Sequence, residues 1–448
     1  MSILSIIVFG GFYMLSIVVI LQKREAKVYF NTHNIIALTF VAVYYFLFFL
    51  CYILTLYGYN SEKFTKFMQQ YESFEIMLYF GAVFLVTHVF LFILRKKRRI
   101  VASDYELGRQ IRNYSDDKIV YIGICLFFVG LVSDFLYLRA YGGYANYLRY
   151  SSALRAGVSI VSNKFSFLIV FRECVNFSSY IFFSKIKENN KINIYTLFLF
   201  IISVFFSMRI LFSNGGRLSF LLYFLVMLAY FLCGKKNIKF INLKTIFKGA
   251  IGSIVALFAL MQIGNLLSRN ISNNIVVQMT KELSFIFVNF ISLLKNLTIE
   301  NWRWFIDAVI FPIYLLPSSI WSSKWGITTA STINTILISG AAKGTGQIYG
   351  EMPVDFISLS YMQLGFIGLI VFPMAFAFLF CKVLKYSQKI VDTNVRKIVK
   401  YYIVIIMGIE TIFYADPQHI VNSIFALIVF FIMYSVLSHV RIGRKNGY

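Results

Sequence analysis

The feature that most constrains this chain is a series of apolar runs, each about 20 residues long, that recur along its length. A helix of that length crosses a hydrocarbon core of about 30 Å, and a backbone inside lipid must satisfy its own hydrogen bonds. The chain is 59% hydrophobic, above the roughly 45–50% of soluble domains. Transmembrane strands would give segments of about ten residues with alternating polarity. We therefore predict an all-α, polytopic transmembrane bundle that forms one integral membrane domain over residues 1–448.

Eleven of these runs are predicted to span the membrane. The first run follows no basic region and precedes no small-residue cleavage site, so we expect no cleavable signal peptide. Lys and Arg concentrate in cytoplasmic connections, and their distribution predicts an outer N-terminus and a cytoplasmic C-terminus in the cytoplasmic (inner) membrane. The strongest anchor is Arg95–Arg99. The predicted spans are residues 3–21, 34–57, 74–94, 119–138, 165–184, 193–212, 218–233, 249–266, 356–381, 401–415 and 420–438.

The longest predicted outer connection, residues 267–355, is a large and partly helical loop. Its segment 275–297 resembles an amphipathic helix, and 305–320 is placed at the membrane interface; two true spans here would raise the count to thirteen. The loop contains every tryptophan of the chain. Indoles gather at membrane surfaces, but their faces also stack on sugar rings, so anchoring and glycan binding both stay open. The residues concerned are Trp302, Trp304, Trp321 and Trp325.

Composition and missing motifs exclude several classes of function. In so apolar a chain, a net charge of +24 is explained by anionic membrane lipid rather than by nucleic acid. The five cysteines lie in or beside apolar runs, without metal-binding spacing, and we expect no disulfide. The sequence has no phosphate-binding Walker loop, no His or Cys metal cluster and no paired Asp motif for a nucleotide-sugar metal. We therefore expect no metal and no cofactor, and a donor substrate that arrives already activated.

A predicted outer connection, residues 139–164, holds several arginines and no Asp or Glu. Positive residues normally stay on the cytoplasmic side, so an uncompensated basic loop outside predicts an anionic partner. The turn Ser213–Arg217 adds two glycines and an arginine at the start of a span, where exposed N–H groups favour anions. Arginine stays charged and fits phosphate oxygens bidentately. The predicted pyrophosphate-binding residues are Arg139, Arg149, Arg155, Arg172, Arg209, Arg217 and Arg269.

Ionisable residues inside spans are costly and therefore informative. Five such residues lie near the predicted outer ends of four spans. The alternative to ligand binding is that they pair with one another for helix packing, with Arg172 or Arg209 bound to one of the acids. The five residues are Asp134, Arg172, Glu173, Arg209 and Glu410.

Acid–base groups are also predicted near the outer surface. Asp416 and His419 lie in a short outer turn where they could exchange protons, although Asp-Pro also fits a simple turn start. Glu351 is a further base, or a ligand for sugar hydroxyls, just before the ninth span. Within that span, Gly365 and Gly368 are predicted to allow close helix contact.

The layout resembles the family of oligosaccharide repeat-unit polymerases, including the O-antigen (Wzy-type) polymerases. The resemblance rests on many spans, arginine-bearing outer loops, the Gly215-Gly216-Arg217 turn, a large late outer loop and the following run Tyr361–Leu369. It implies an undecaprenyl-pyrophosphate-linked oligosaccharide substrate at the outer face. It also implies metal-independent transfer of the growing glycan to the non-reducing end of a new lipid-linked unit. Outer-loop arginines would serve catalysis, Tyr361 would contact glycan, and a chain-length regulator and a flippase would be partners.

Two other functions stay open at this point. An O-antigen ligase would use the same pyrophosphate chemistry but would transfer a finished glycan to a different acceptor. A flippase or exporter of lipid-linked oligosaccharide would place cations along a central cavity with access from the inner side. The in-span charges crowd the predicted outer ends of their helices instead, which favours an enzyme.

Overall fold

The computed structural model describes most of the chain as helix. The described residues are 3–24, 27–29, 31–58, 73–97, 118–155, 163–188, 191–214, 217–233, 240–242, 277, 284–316, 318–322, 324–345, 348 and 350–439. The helices are α1 (Ile6–Ile20), α2 (Thr32–Leu56), α3 (Ser73–Lys96), α4 (Lys118–Arg139), α5 (Tyr144–Arg155), α6 (Glu173–Lys185), α7 (Ile194–Asn214), α8 (Arg217–Cys233), α9 (Phe285–Asn296), α10 (Ile306–Ile310), α11 (Ser318–Trp321), α12 (Ala330–Ser339), α13 (Phe356–Ser387), α14 (Thr393–Ile403) and α15 (Pro417–His439). A 3-10 turn, Ser166–Ile169, precedes α6, and α14 continues as a wider helix, Val404–Glu410.

Seven helices in the described part of the chain are long and apolar enough to cross a membrane. They include α2, α3, α4, α7, α13 and α15, and the seventh is α6 together with the turn before it. The all-α prediction is therefore confirmed, but eleven spans are not. The predicted spans 3–21 and 218–233 contain shorter apolar helices, 401–415 falls in α14 and its continuation, and 249–266 lies outside the described residues.

Two very small antiparallel sheets join connections between helices. One contains β1 (Lys23–Arg24), β2 (Lys27–Tyr29) and β5 (Phe240–Asn242), in which β2 pairs with both neighbours. Because β2 and β5 pair, the connections that contain them lie on the same side of the helices. The other sheet is the hairpin of β3 (Lys187–Glu188) and β4 (Lys191–Ile192). Beside it, Lys185 forms a buried ion pair with Asp392 at 3.0 Å.

Helices α4 and α6 approach closely because α4 presents glycines to α6. A Cβ on Gly130 would lie 2.6 Å from Val175 Cγ2 and 2.7 Å from its backbone nitrogen, and one on Gly123 would lie 2.9 Å from the Phe182 ring. Small residues at such an interface let backbones come together where lipid provides no hydrophobic drive for association. One turn beyond Gly130, this approach brings Asp134 to the start of α6.

Helix α13 contains a reversal of the chain near its beginning. Leu364 and Gly365 have non-helical backbone angles, with φ 57° and ψ −136° at the glycine. The Phe356 ring lies 5.6 Å from Phe372 and 5.3 Å from Phe376, although 20 helical residues would extend about 30 Å. Residues 356–363 therefore fold back against the rest of α13 as a helical hairpin.

The two glycines of this hairpin have different roles. Gly368 allows the close contact that the sequence predicts, since a Cβ there would lie 2.1 Å from the Ser360 carbonyl oxygen. Gly365 instead has a positive φ with an extended ψ, a turn conformation that glycine adopts readily and L side chains rarely do. The single predicted span 356–381 is corrected accordingly, because its first eight residues run back along the rest.

The loop before α10 closes the apex of the hairpin. The backbone N–H groups of Arg303 and Trp304 donate to the carbonyls of Met362 and Gln363 at 2.9 and 3.0 Å. Because the helix reverses at this point, these two carbonyls have no N–H partner within the helix. The loop N–H groups replace the missing partners, as a buried helix end requires. The Trp302 indole packs against Gly365, 2.9 Å from an ideal Cβ. Loop and hairpin therefore form one fixed unit.

Gly365→Ala should destabilise the protein, because the alanine must adopt the positive-φ backbone of the turn, at about 1–3 kcal/mol, and its methyl meets the Trp302 ring. Thermal unfolding in detergent measures the effect. Gly81→Ala is the matched control, since α3 has open space at that position, and a helical alanine should stabilise by about 0.5–1 kcal/mol. Equal unfolding midpoints for the two variants would contradict the assigned turn.

Candidate functional site

Two arginines share one carboxylate where α4, α6 and α7 meet. Arg172 Nε donates to Asp134 Oδ1 at 2.8 Å, and its Nη2 donates to Ser213 Oγ at 2.7 Å. Arg209 Nη2 pairs with the second oxygen, Asp134 Oδ2. This is the pairing that sequence offers as the alternative to ligand binding. A shared carboxylate fixes both guanidinium groups, since an in-span charge without a partner is costly.

Tyrosines from α4 and α5 cover this ion-pair cluster. The guanidinium carbon of Arg172 lies 5.0 Å from the Tyr137 ring centre and 5.6 Å from that of Tyr147. Arg209 lies 5.3 Å from the Tyr144 ring, and the Tyr144 hydroxyl donates to its carbonyl at 3.3 Å. Ring faces attract cations at these distances. The arginines at this site are thus held by a carboxylate on one side and by aromatic rings on the other.

The two arginines differ in their access to a ligand. Arg172 is fully buried, so its guanidinium has no room for a phosphate, and we remove it from the predicted direct ligands. The Arg209 side chain is 28% exposed. Its buried Nε lacks a hydrogen-bond partner among the described residues, although buried donors are almost always paired. Because its side chain is partly exposed, Arg209 is the member of the pair that a ligand can reach.

The remaining predicted phosphate ligands are placed only in part. Arg139, at the end of α4, and Arg149, on α5, have exposed side chains. Arg155 ends α5 and Arg217 begins α8, but only their backbones are described. Arg269 and the glycines of the Gly215-Gly216-Arg217 turn lie outside the described residues. Two exposed arginines, Arg139 on α4 and Arg149 on α5, are therefore the described candidates for an anionic ligand.

A histidine–glutamate pair lies beside the ion-pair cluster. His419 Nε2 is 2.9 Å from Glu410 Oε1, and the His419 side chain is 40% exposed. Its ring lies 5.2 Å from that of Tyr414. Glu173, which accepts from Asn176 at 2.6 Å, interacts electrostatically with Arg172 and with His419. Glu173 thus links the two groups. A carboxylate on one ring nitrogen orients a histidine and leaves the other nitrogen to exchange a proton.

Asp416 has a structural role at the start of α15. It precedes Pro417, and it accepts backbone N–H groups of Ser331 at 2.7 Å and of Gln418 at 2.9 Å. This is an N-cap followed by proline at the first helical position. Burial raises the pKa of Asp416 above its ordinary value, although the N–H donors oppose the shift. Because its oxygens are buried and occupied, Asp416 fits the turn-start interpretation better than catalysis.

Glu351 lies at the surface and is held by hydroxyl groups. Its Oε1 accepts from Thr332 at 2.9 Å and from Thr329 at 3.3 Å, both near the start of α12. This arrangement ties the segment before α13 to α12. Of the three predicted acid–base residues, His419 alone combines exposure with an orienting carboxylate.

The five aromatic residues predicted to bind sugar differ in burial and position: two are buried, two line a cleft, and one is exposed elsewhere. Trp321 and Tyr361 are buried: the Trp321 indole donates to the Leu316 carbonyl at 3.1 Å, and Tyr361 packs on Phe290. Neither offers a ring face to a ligand. Trp302 and Trp304 line a cleft of about 600 Å³, and Trp325 is exposed elsewhere on the loop.

Several partners in this site were not predicted from the sequence. Ser213, Tyr137 and Tyr147 complete the surroundings of Arg172. A local signal existed for Tyr137, since it follows Asp134 by three residues and so shares its helix face. No group of three His, Cys, Asp or Glu residues suited to a metal occurs within the described ranges.

Comparison of the chain with protein-family models, with curated proteins and with solved structures finds no match.

Proposed function

We propose that this chain polymerises undecaprenyl-pyrophosphate-linked oligosaccharide repeat units at the outer face of the cytoplasmic membrane. One observation supports this most: a partly exposed arginine and a carboxylate-oriented histidine occur at the same end of the bundle. The connection runs from Arg209 through Asp134, Arg172 and Glu173 to His419. These are the two functions that glycan transfer from a lipid pyrophosphate needs, a cation for the leaving group and a base for the acceptor.

The position of this site along the helices agrees with a reaction near one membrane surface. Glu173 and Lys185 lie at opposite ends of α6, about 18 Å apart at 1.5 Å per residue. Lys185 pairs with Asp392 at the end that the Lys and Arg distribution assigns to the cytoplasm. These positions support a site in the outer half of the membrane, within reach of a lipid headgroup in the outer leaflet.

In the proposed reaction, His419 acts as general base. With Nε2 bonded to Glu410, Nδ1 accepts the proton of the acceptor hydroxyl. The acceptor oxygen attacks the anomeric carbon of the donor glycan, and the bond from that carbon to the pyrophosphate oxygen breaks. The bonding electrons leave with the pyrophosphate, where fixed cations are most effective because charge develops there.

The leaving pyrophosphate would be neutralised by Arg209 together with the exposed Arg139 and Arg149. Asp134 holds the Arg209 guanidinium in place before the reaction, so that little reorganisation is needed when charge appears. Arg172 acts as a positioning residue, because it anchors the other oxygen of the same carboxylate. Arg155 and Arg217 remain proposed pyrophosphate ligands only because the sequence resembles that of the repeat-unit polymerases.

The test uses purified protein with defined lipid-linked repeat units, a chelator and no nucleotide. We expect a ladder of polymers from wild-type protein and a loss of about 10²–10⁴-fold in rate for His419→Ala, the usual contribution of general base catalysis. His88→Ala is the control, since its ring bonds to the Phe84 carbonyl within α3, away from the site.

Each outcome of this assay has a distinct meaning. A wild-type ladder that His419→Ala reduces and His88→Ala retains supports the assignment. A single transfer to an added foreign acceptor, with no ladder, would indicate a ligase instead. A full ladder from His419→Ala would remove the histidine from the mechanism.

A further inference from the structure

A cleft of about 600 Å³ lies between the loop 300–304 and α12. This volume falls within the roughly 300–1,000 Å³ of small-molecule sites. Its floor is formed by two indoles, those of Trp302 and Trp304, whose ring centres are 5.4 Å apart at 55°. The Trp304 side chain is 60% exposed, so its indole can contact a ligand bound in the cleft.

The cleft is preformed because its floor is fixed to the hairpin of α13. Trp302 rests on Gly365, and the Trp304 N–H bonds to the Gln363 carbonyl. Beneath them, Arg303 is buried, forms a bidentate pair with Asp307 at 2.5 Å and donates to the Thr328 carbonyl at 3.1 Å. Trp304 has φ 49°, a conformation that persists only where surroundings enforce it. A rigid aromatic floor binds with little ordering cost.

The chemistry of the lining selects a neutral ligand that has both hydroxyl groups and apolar groups. Glu300 and Asn301 are exposed at the cleft and offer a carboxylate and an amide oxygen to hydroxyls, while the Asn301 Nδ2 donates to Thr298 Oγ1 at 3.1 Å. The opposite wall consists of aliphatic side chains from α12, such as Ile333 and Ile336. The Glu300 carboxylate disfavours phosphate or uronic acid, because Arg303 is already committed to Asp307. An isoprenoid chain would leave the carboxylate and the amide unused.

We propose that this cleft binds one sugar of the acceptor glycan, a neutral residue that carries an apolar substituent, either a 6-deoxy carbon or an N-acetyl methyl. The sugar stacks on the indoles, its hydroxyls bond to Glu300 and Asn301, and its methyl packs on α12. This inference rests on the proposed function. Arg303, beneath the floor of the cleft, interacts electrostatically with Asp416, which caps the helix that carries His419.

The test is saturation-transfer NMR of wild-type protein in lipid nanodiscs with methyl glycosides. The probes are methyl rhamnoside and methyl N-acetylglucosaminide, with methyl glucoside and methyl glucuronide for comparison. We expect the first two to bind at least about tenfold more tightly than the others, and Trp304→Ala to weaken them at least about tenfold. Trp325→Ala is the matched control, because that indole is 54% exposed on the same loop but does not line the cleft.

Equal binding of all four glycosides, or unchanged binding by Trp304→Ala, would overturn the proposal. Competition by a polyprenyl phosphate but by no sugar would assign the cleft to lipid. The result is separable from that of the polymerisation assay. Selective sugar binding without any ladder would support the sugar site and reject the proposed function. A ladder without sugar binding would support the proposed function and reject the sugar site.

Discussion

Arg209→Ala should reduce polymer formation by about 100-fold or more while the protein remains folded. Removing a single preorganised donor from a developing anion typically costs 10²–10³ in rate. The Arg209 side chain is 28% exposed, and its partner Asp134 keeps the Arg172 ion pair when Arg209 is removed. The loss should therefore appear in catalysis rather than in folding.

The Arg209 prediction is checked by ladder formation from purified lipid-linked units, with thermal unfolding measured on the same preparation. Arg209→Lys should recover only part of the rate, because an ammonium cannot reproduce the planar fork of a guanidinium. Arg396→Ala is the matched control, since that arginine lies in α14, near the end of the bundle marked by the Lys185–Asp392 pair. Wild-type polymer yield from Arg209→Ala would exclude it from the pyrophosphate site.

Asp134→Ala should cause a large loss of stability. It removes the carboxylate from Arg172, which is fully buried, and from Arg209 at the same time. Breaking a buried pair by deleting one partner costs about 3–5 kcal/mol, because a charge is left buried without compensation. Asp134→Asn should lose less, since its side chain still accepts a hydrogen bond.

Thermal unfolding in detergent and the yield of membrane-inserted protein measure this effect. Ser133→Ala is the control from the same helix. Its buried hydroxyl bonds only to the Val129 carbonyl one turn before it, so it should change stability by about 1 kcal/mol or less. An Asp134→Ala protein as stable as Ser133→Ala would show that the cluster does not hold α4, α6 and α7 together.

The sequence predicts the membrane helices and part of the site for a simple physical reason. An apolar run of about 20 residues forms a helix long enough to span the membrane. Seven of the predicted runs contain such a helix. Charges inside such runs must find partners, so a pairing of Arg172 or Arg209 with one of the in-span acids is offered by the sequence, but the choice of Asp134 is not. Which arginine stays accessible does not follow, because it depends on how closely α4 and α6 pack.

The reversal in α13 is hidden from sequence because residues 356–381 form one apolar run. A glycine there fits close helix contact as well as a turn, and only the positive φ of Gly365 distinguishes the two. The pairing of Arg303 with Asp307 was missed for a related reason. It forms around the apex that the reversal creates, where Gln363 Nε2 also donates to Asp307 at 2.9 Å.

The four tryptophans show a second limit of sequence reasoning. All four lie in the loop 267–355, and composition gives no reason to separate them. The structure buries Trp321 against Tyr314, 5.1 Å between ring centres, and leaves Trp304 exposed. Trp321 is buried because it joins a small apolar cluster with Ile310, Tyr314 and Val421 of α15, which composition does not reveal.

The most direct test of the central claim is to count products during polymerisation by wild-type protein in sealed vesicles. Lipid-linked repeat units are supplied to one face, with a chelator and without nucleotide. The account predicts one undecaprenyl pyrophosphate released for each glycosidic bond formed, and only when the substrate is on the face that holds Arg209 and His419. No ladder, a requirement for nucleotide sugar, or equal activity from the opposite face would contradict it.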